Sequence, residues 1–96
     1  MRVWFVYLLA CADETLYCGV TKNTLWRLDQ HNAGKGAKYT KGRRPCKLIA
    51  QSCRLTKSEA LRVERHVKRS PKNRKSYTIS TALAWLVQQE RVCAKD

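Results

Sequence analysis

The fold is decided by residues 3–21, which read VWFVYLLACADETLYCGVT. Arg2–Leu9 is rich in Val, Trp, Phe and Tyr, which favour β-structure, and is predicted to form a buried strand. Ala10–Glu14 is a polar turn. Leu16–Thr21 is a second predicted strand, close enough along the chain to form a hairpin with the first.

Three residues of this hairpin have more than one interpretation. Tyr7 and Tyr17 flank the turn, so the two phenols are expected on one face of the sheet, where core packing with satisfied hydroxyls is the usual outcome. Gly19 lies inside the second strand. A strand glycine often marks a bulge or the close approach of a ligand or another backbone segment.

The remaining chain is predicted to alternate helices with a loop and a third strand. In order, these elements are a helix from Asn23 or Thr24 to about Asn32, a Gly- and Lys-rich loop Ala33–Pro45, a strand Lys47–Cys53, a helix from Thr56 or Ser58 to Pro71, a basic connection, and a helix at about 80–92. The apolar residues expected to face the core are Leu25, Trp26 and Leu28 in the first helix, and Ile79, Leu83, Leu86 and Val87 in or just before the last.

The composition fits one small globular domain that spans residues 1–96. Hydrophobic residues make up 44% of the 96 positions, and no apolar run approaches the length of a membrane span. The five cysteines are odd in number and include no Cys-x-x-Cys, which argues against a disulfide framework or a zinc ribbon. We expect a cytoplasmic protein, with Cys18 and Cys53 buried in strands.

The net charge of +13 is confined to one part of the chain. The segment Lys35–Lys75 holds fifteen Lys and Arg residues against only Glu59 and Glu64, whereas the charges elsewhere cancel. A localised basic surface is the electrostatic signature of a nucleic-acid-binding protein, with salt-sensitive phosphate contacts that carry little base specificity. The alternative is a merely solvated basic face.

Glu64 lies within the apolar stripe of the predicted helix over 57–69. At about 100° per residue, that stripe comprises Ala60, Leu61, Val63 and Val67. The other side carries Arg62, Arg65, His66 and Arg69. A carboxylate facing the core is costly unless it is paired or coordinates a metal. Glu64 therefore either pairs with Lys68 at i+4 from the edge of the stripe or serves as a metal ligand.

Two further groups of polar residues are candidates for phosphate chemistry. Arg27 and His31 are four residues apart and share one helix face, so a guanidinium and an imidazole are expected side by side. The Gly-rich loop carries Lys and Arg residues around Tyr39, which is available for stacking or hydrogen bonding. The residues expected to contact a phosphate backbone are Lys35, Lys38, Lys41, Arg43, Arg44 and, on the following helix, Lys68.

The motifs of the hairpin, the first helix, the Gly-rich loop and the helix that carries Glu64 resemble those of the GIY-YIG nuclease superfamily, in its small stand-alone YhbQ-like branch. Phe5-Val6-Tyr7 and Tyr17-Cys18-Gly19 are similar to the paired motifs, with Phe5, Val6 and Cys18 departing from the named pattern. The later parts that agree in order are Arg27, His31-Asn32, the segment Ala33–Thr40 and the helical Glu64, so that the resemblance covers about residues 3–69. The superfamily's downstream asparagine has only Asn73 as a nearby candidate.

The resemblance implies an α+β fold with a small three-stranded antiparallel sheet flanked by helices, and a phosphodiesterase that uses one divalent cation, Mg²⁺ or Mn²⁺. It makes Glu64 the sole protein ligand of the metal, with Glu59 as the fallback. One of Tyr7 and Tyr17 would help to deprotonate the attacking water, and the other would position the water or the phosphate. Arg27 would stabilise the phosphoryl charge. His31 would relay a proton or hold the phosphate, and Tyr39 would support the leaving group or the attacking nucleophile.

These expectations describe a metal-dependent endonuclease acting on DNA, with single-stranded or distorted DNA favoured and RNA not excluded. Repair, recombination or processing of DNA would follow from such an activity. Two other classes are a non-catalytic basic nucleic-acid-binding module with the same fold and a small basic structural protein. Neither of those classes needs a carboxylate on the inner face of a helix, so metal-dependent cleavage separates them from the enzyme.

Overall fold

A computed structural model describes the backbone of residues 1–95 and the side chains of residues 1–90. Its sheet contains β1 (Phe5–Ala10), β2 (Leu16–Thr21) and β3 (Lys47–Gln51), all antiparallel, in the order β2-β1-β3. The helices are α1 (Thr24–Asn32), α2 (Lys38–Lys41), α3 (Lys57–Arg69), α4 (Lys75–Ser80) and α5 (Ala82–Lys95), with a 3₁₀ turn at Lys72–Arg74. This architecture confirms the expected α+β fold with a three-stranded antiparallel sheet.

The central strand β1 is buried on both faces, because side chains alternate along a strand and each face has its own cover. Val6 and Leu8 join the larger core, whose other members are Cys18, Leu55, Ala60, Val63, Val67, Ile79, Ala82 and Leu86. Tyr7 and Leu9 point the other way, into a smaller cluster with Cys11 and Cys46. The nearly continuous apolar run in this strand follows from this double burial.

The hairpin register places the two tyrosines as predicted. Tyr7 pairs with Gly19, and Leu9 pairs with Tyr17. Tyr7 and Leu9 are two residues apart, so they and the partner of Leu9 share a face. The Tyr7 and Tyr17 rings lie 6.3 Å apart between centroids. The turn between the strands is closed by Glu14, which has φ of 68°.

The prediction that Leu25 and Trp26 face the core is wrong. Their side chains are 70% and 55% exposed, whereas Thr24 and His31 are the buried residues of α1. Leu28 packs partly against the smaller cluster, as predicted. Helix α1 is capped by Asn23, whose side chain accepts a hydrogen bond from the Trp26 backbone. The helix meets the sheet mainly through a polar side chain, which an apolar pattern does not reveal.

Two segments predicted as irregular contain helical turns. The loop over 33–45 includes α2, whose Thr40 is fully buried. The basic connection over 71–75 forms the 3₁₀ turn and the first residue of α4. The predicted last helix is thereby divided at Thr81. Its inward face consists of Ile79, Ala82 and Leu86, whereas Leu83 and Val87 are exposed, contrary to the prediction.

Helix α3 begins at a capping box. The Thr56 hydroxyl accepts from the Glu59 backbone, and the Glu59 carboxylate accepts from the Thr56 backbone in return. Glu59 therefore caps the helix, and Arg2 pairs with the same carboxylate at 3.1 Å.

The cysteines divide between core and surface. Cys18 is buried as predicted, but Cys53 is exposed because β3 ends at Gln51. The side chain of Cys93 lies outside the described residues. None of the helices in residues 1–95 combines the length and apolar character that crossing a bilayer requires.

Candidate active site

Tyr7 lies at the centre of the sheet, with its phenol over the backbone of the neighbouring strand β2. The side chain is only 2% exposed, and its cross-strand partner is Gly19. A Cβ atom at position 19 would lie 2.5 Å from the Tyr7 Oη and 2.6 Å from its Cζ. The phenol therefore occupies space that exists only because residue 19 is glycine.

Replacing Gly19 with Ala is expected to destabilise the protein by about 1–3 kcal/mol, because the added methyl group collides with the buried Tyr7 ring. Gly42→Ala is the matched control, since a Cβ atom there meets nothing within 4 Å. Urea unfolding of the three proteins measures the difference. Equal stability of the two variants would contradict the placement of the Tyr7 ring.

His31 connects the Tyr7 phenol to the short helix α2. Its imidazole is fully buried. Nε2 lies 2.9 Å from the Tyr7 Oη, and Nδ1 lies 2.8 Å from the Thr40 Oγ1. A Cβ atom at Gly36 would overlap the imidazole, so this glycine lets the chain close over the ring.

Two tautomers of His31 fit this chain of hydrogen bonds, and they give it opposite directions. The Thr40 hydroxyl donates to the Ala37 carbonyl oxygen at 2.9 Å, and a carbonyl oxygen can only accept. Thr40 then accepts from a proton on Nδ1 of His31, which leaves Nε2 to accept from the Tyr7 phenol. In the opposite tautomer Nδ1 accepts from the Ala37 backbone N–H at 3.3 Å, and Nε2 donates to the Tyr7 oxygen. The shorter bonds form a relay in which Tyr7 donates to His31.

The protonation states match this direction. Burial raises the pKa of Tyr7 to about 12, although the nearby Arg27 guanidinium favours the phenolate and lowers it. Burial, and then the charge of Arg27, lower the pKa of His31 below its ordinary value. At neutral pH, Tyr7 is a protonated phenol that faces a neutral imidazole, as a donor facing an acceptor.

The aromatic candidates form one cluster around this relay. The Tyr17 ring lies 5.3 Å from the His31 ring, edge to face, and 5.7 Å from the Tyr39 ring, stacked. The guanidinium of Arg43 covers Tyr39 at 4.0 Å. The structure thus brings Tyr7, Tyr17, His31 and Tyr39 together, with the half-buried Arg27 within electrostatic reach of the first three.

Glu64 lies at the edge of the buried stripe of α3. Its side chain is 19% exposed and pairs with Lys68 at 3.3 Å, which is the ion pair considered from the sequence. Its negative charge also raises the pKa of Tyr17 and of Cys18, in both cases after the larger effect of burial. The carboxylate is therefore a neighbour of the β2 edge where Tyr17 emerges.

An open cavity of about 280 Å³ lies beside this edge. Its lining residues are Leu16, Tyr17, Cys18, Tyr39, Lys68 and Lys75. The Lys75 ammonium donates to the carbonyl oxygens of Val67 and Lys68 at 2.8 and 3.1 Å, at the carboxyl end of α3. A cavity with two phenols and two ammonium groups on its wall is suited to an anionic ligand such as a phosphate.

The residues of the basic loop serve two purposes. Arg43 pairs with Asp13 at 2.9 Å and donates to the Tyr39 carbonyl, and Arg44 donates to the Lys41 carbonyl, so both arginines help to hold the loop in place. The loop residues with exposed and unengaged ammonium groups in the described structure are Lys35, Lys38 and Lys41.

The donors available for a metal are few. Among the described residues, no group of three or more His, Cys, Asp or Glu side chains is arranged to enclose an ion. Glu64 offers a single partly exposed carboxylate. Mg²⁺ accepts a site of this kind because it keeps most of its waters and takes one or two carboxylates together with substrate phosphate oxygens. The residues present therefore fit a hydrated Mg²⁺ or Mn²⁺ ion.

Comparison with known proteins agrees with these motifs. A family model described as the GIY-YIG catalytic domain matches residues 3–78. The chain belongs to the GIY-YIG family.

Relatives of this GIY-YIG protein are small bacterial proteins. A UPF0213 protein of Nitratidesulfovibrio vulgaris is 52% identical over 80 residues, which are 83% of this chain and 73% of the relative. A UPF0213 protein of Staphylococcus haemolyticus is 50% identical over 71% of this chain and 83% of its own. The solution structure of a UPF0213 protein from Bacillus halodurans is 41% identical, covers 75% of this chain and 77% of that chain, and has a TM-score of 0.46.

Two residues of the candidate site, Thr40 and Lys75, are not among those predicted from the sequence. Thr40 was hidden inside a segment predicted as a loop, and only its small polar side chain among lysines marked it. Lys75 was treated as part of a basic connection. The expected downstream asparagine has no clear counterpart, because Asn73 is exposed in the 3₁₀ turn and forms no side-chain hydrogen bond to the described residues.

Proposed function

We propose that this GIY-YIG protein is a single-domain endonuclease that hydrolyses phosphodiester bonds of DNA with the help of one divalent cation, Mg²⁺ or Mn²⁺. The observation that carries the proposal is the relay from the Tyr7 phenol to the neutral His31 imidazole, beside Tyr17 and the Glu64 carboxylate. Membership of a catalytic-domain family supports it. The His31 imidazole would also satisfy the buried phenol in a purely structural core, so the catalytic interpretation rests on this pair together with the neighbouring Glu64 carboxylate and the family membership.

In the proposed reaction Tyr7 accepts a proton from the attacking water and passes its own phenol proton to His31. The attacking water gives a proton to the Tyr7 Oη while the phenol proton passes to Nε2 of His31. The water oxygen forms a new bond to phosphorus, the bond from phosphorus to the leaving oxygen breaks, and the leaving oxygen takes a proton from solvent. A phenol with a pKa of about 12 cannot act as a free phenolate at neutral pH, so the imidazole is the residue that makes Tyr7 a base.

The other residues orient and neutralise the phosphate. Arg27 would bind the phosphoryl oxygens as negative charge builds on them, and Tyr17 would position the water or the scissile phosphate. Tyr39 would stack against the substrate near the leaving side. Glu64 would hold the divalent cation, which supplies Lewis-acid stabilisation of the leaving oxygen when bound. The Lys68 ammonium would then turn from Glu64 to a phosphate, at small cost, because exposed ion pairs contribute at most about 1 kcal/mol.

The proposed substrate is single-stranded or distorted DNA, bound through its backbone. Lys35, Lys38 and Lys41 would contact phosphates, with Arg43, Arg44 and Lys68 as further cations. Tyr39 is 38% exposed and would offer the uncovered part of its ring to a base without regard to base identity, beside the Arg43 guanidinium and the Tyr17 ring that contact it. Such an enzyme would act in the cytoplasm in DNA repair, recombination or processing.

A cleavage panel tests the proposal. End-labelled single-stranded, duplex and branched DNA, and a single-stranded RNA of the same sequence, are incubated with the protein in Mg²⁺, Mn²⁺ or EDTA. We expect cleavage only with metal and fastest on single-stranded or branched DNA. Binding to all substrates without cleavage under any metal would favour the non-catalytic binding module, in which the ion pair between Glu64 and Lys68 is merely structural.

Thr40→Val is expected to slow cleavage about five- to tenfold, because it removes a hydrogen bond worth about 1 kcal/mol that orients the imidazole. Thr40→Ser should retain the wild-type rate. Wild-type activity should fall on acidification, at a pH below the ordinary range for histidine because burial and Arg27 lower the pKa of His31, since protonated His31 can no longer accept from Tyr7. In Thr40→Val the cleavage rate should begin to fall at a lower pH than in the wild type, because the His31 imidazolium loses the Thr40 hydroxyl that accepts from its Nδ1 proton. An unchanged pH profile would contradict the relay.

A further inference from the structure

A second basic surface lies on the outer side of α3, away from the Tyr7 relay. At about 100° per residue, Lys68, Arg65, Arg69 and Arg62 follow one another around roughly 120° of the helix. Among the described residues, none of the three arginines forms an ion pair. Arg62 and Arg69 are seven residues apart, about 10 Å along the axis, so the row is long enough to meet successive phosphates of one strand.

An aromatic pair borders this row of arginines. The His66 and Trp85 rings are stacked, with centroids 4.2 Å apart and planes within 7°. Trp85 lines a shallow cavity of about 200 Å³ together with Arg62, Arg65 and Arg69. Burial, and then Arg69, lower the pKa of His66, so the stacked imidazole is mostly neutral at neutral pH.

A larger cavity opens on the other side of the same pair. It has a volume of about 380 Å³ and lies between α3 and the helices α4 and α5, with His66, Ser70, Arg74 and Trp85 among its lining residues. That volume is within the range of small-ligand sites. Trp85 lines both cavities, and we call the two together the groove, whose lining includes the arginines of the first cavity and His66 and Arg74 of the second.

We propose that this groove binds an unpaired nucleotide of a DNA strand together with its flanking phosphates. Arginine guanidinium groups bind phosphate through directed donors, and a base stacks on an aromatic surface whatever its identity. An acidic peptide would satisfy the arginines but gain nothing from the stacked His66 and Trp85. The chemistry of the groove therefore favours a single nucleic-acid strand.

The groove also has a defined relation to the candidate active site. Lys68 lines the cavity beside Tyr17, and Arg65 follows it around α3. A strand leaving that cavity can pass over Lys68 and reach the arginines and Trp85. Along this path the groove would select DNA that has an unpaired segment next to the scissile bond. This inference rests on the proposed nuclease function.

Binding without catalysis tests the groove independently of the nuclease activity. A fluorescent oligothymidine is titrated in EDTA with the wild type, with Arg65→Gln/Arg69→Gln, and with the control Lys22→Gln/Lys47→Gln. The control removes the same charge from exposed residues outside both sites. We expect the arginine variant to bind at least about tenfold more weakly at low salt. Its salt slope should be smaller by about 1.4, or 0.7 for each lost phosphate contact.

A second measurement tests the aromatic pair. The wild type should bind an oligothymidine more tightly than an abasic strand of equal length, and Trp85→Leu should reduce that preference while circular dichroism shows an intact fold. Equal affinities of the two double variants would overturn the proposal. A polyglutamate peptide that competes as well as DNA of equal charge would also overturn it, in favour of an acidic protein partner. If the variants change binding as expected but the protein cleaves no DNA in Mg²⁺ or Mn²⁺, the nuclease function is rejected and the groove proposal stands.

Discussion

Replacing Glu64 with Gln is expected to lower metal-dependent cleavage by about a thousandfold, the equivalent of roughly 4 kcal/mol of transition-state stabilisation. The amide keeps the shape of the side chain but offers the cation only a neutral oxygen. Glu64 is the partly exposed carboxylate next to Tyr17, and the described residues provide no cluster of acidic side chains to replace it. Single-turnover cleavage in saturating Mg²⁺ measures the loss.

Glu59→Gln is the matched control for this variant. Glu59 lies five residues earlier on α3, and its carboxylate accepts a hydrogen bond from the Thr56 backbone N–H. The side-chain amide oxygen of Gln can accept the same hydrogen bond. We expect near wild-type cleavage from it. Loss of the ion pair with Lys68 should cost Glu64→Gln less than about 1 kcal/mol of stability. Equal rates for the two variants, or weak Mn²⁺ binding that is the same in both, would remove Glu64 from the metal site.

Replacing Tyr7 with Phe is expected to slow cleavage by about 10²–10⁴-fold, the usual effect of losing a general base. The ring remains over Gly19, but the hydroxyl that donates to His31 is gone. The unpaired Nε2 atom should also cost about 1–3 kcal/mol of unfolding free energy, because a buried acceptor is left unsatisfied. Single-turnover rates, corrected for the folded fraction from urea unfolding, separate the two effects.

Tyr17→Phe distinguishes the roles of the two phenols. Because Tyr17 is proposed to position water or phosphate, its loss should slow the reaction less than the loss of Tyr7. Combining Tyr7→Phe with Thr40→Val should add little to the effect of Tyr7→Phe alone, since both changes break the same relay. A slow Tyr17 variant beside an active Tyr7 variant would reverse the assignment of the base.

The sequence predicted the parts of this fold that depend on local patterns. The β-rich runs at either side of a polar turn set the hairpin, and its register brings Tyr7 and Tyr17 onto one face. The capping residue Thr56 and the spacing of apolar side chains determine where α3 begins and place Glu64 at the edge of its buried stripe. In each case, residues close in sequence determine the outcome.

The parts that escaped prediction depend on distant partners. His31 was a candidate from its spacing to Arg27, but its complete burial depends on Tyr7, Thr40 and the glycine at position 36, which come from three other segments. The same contact turns Leu25 and Trp26 outward, because α1 presents a histidine to the sheet in place of leucine or tryptophan. Apolar periodicity does not identify a helix that docks through a hydrogen-bonded polar side chain.

In the proposed reaction this chain hydrolyses phosphodiester bonds by direct attack of a water molecule activated at Tyr7. The most direct measurement is a single-turnover digestion of single-stranded DNA in heavy-oxygen water with Mg²⁺, followed by mass spectrometry of the products and of the protein. We expect one heavy oxygen atom in the new terminal phosphate and no DNA attached to the protein. A covalent adduct on a tyrosine, or DNA that stays intact while bound, would contradict it.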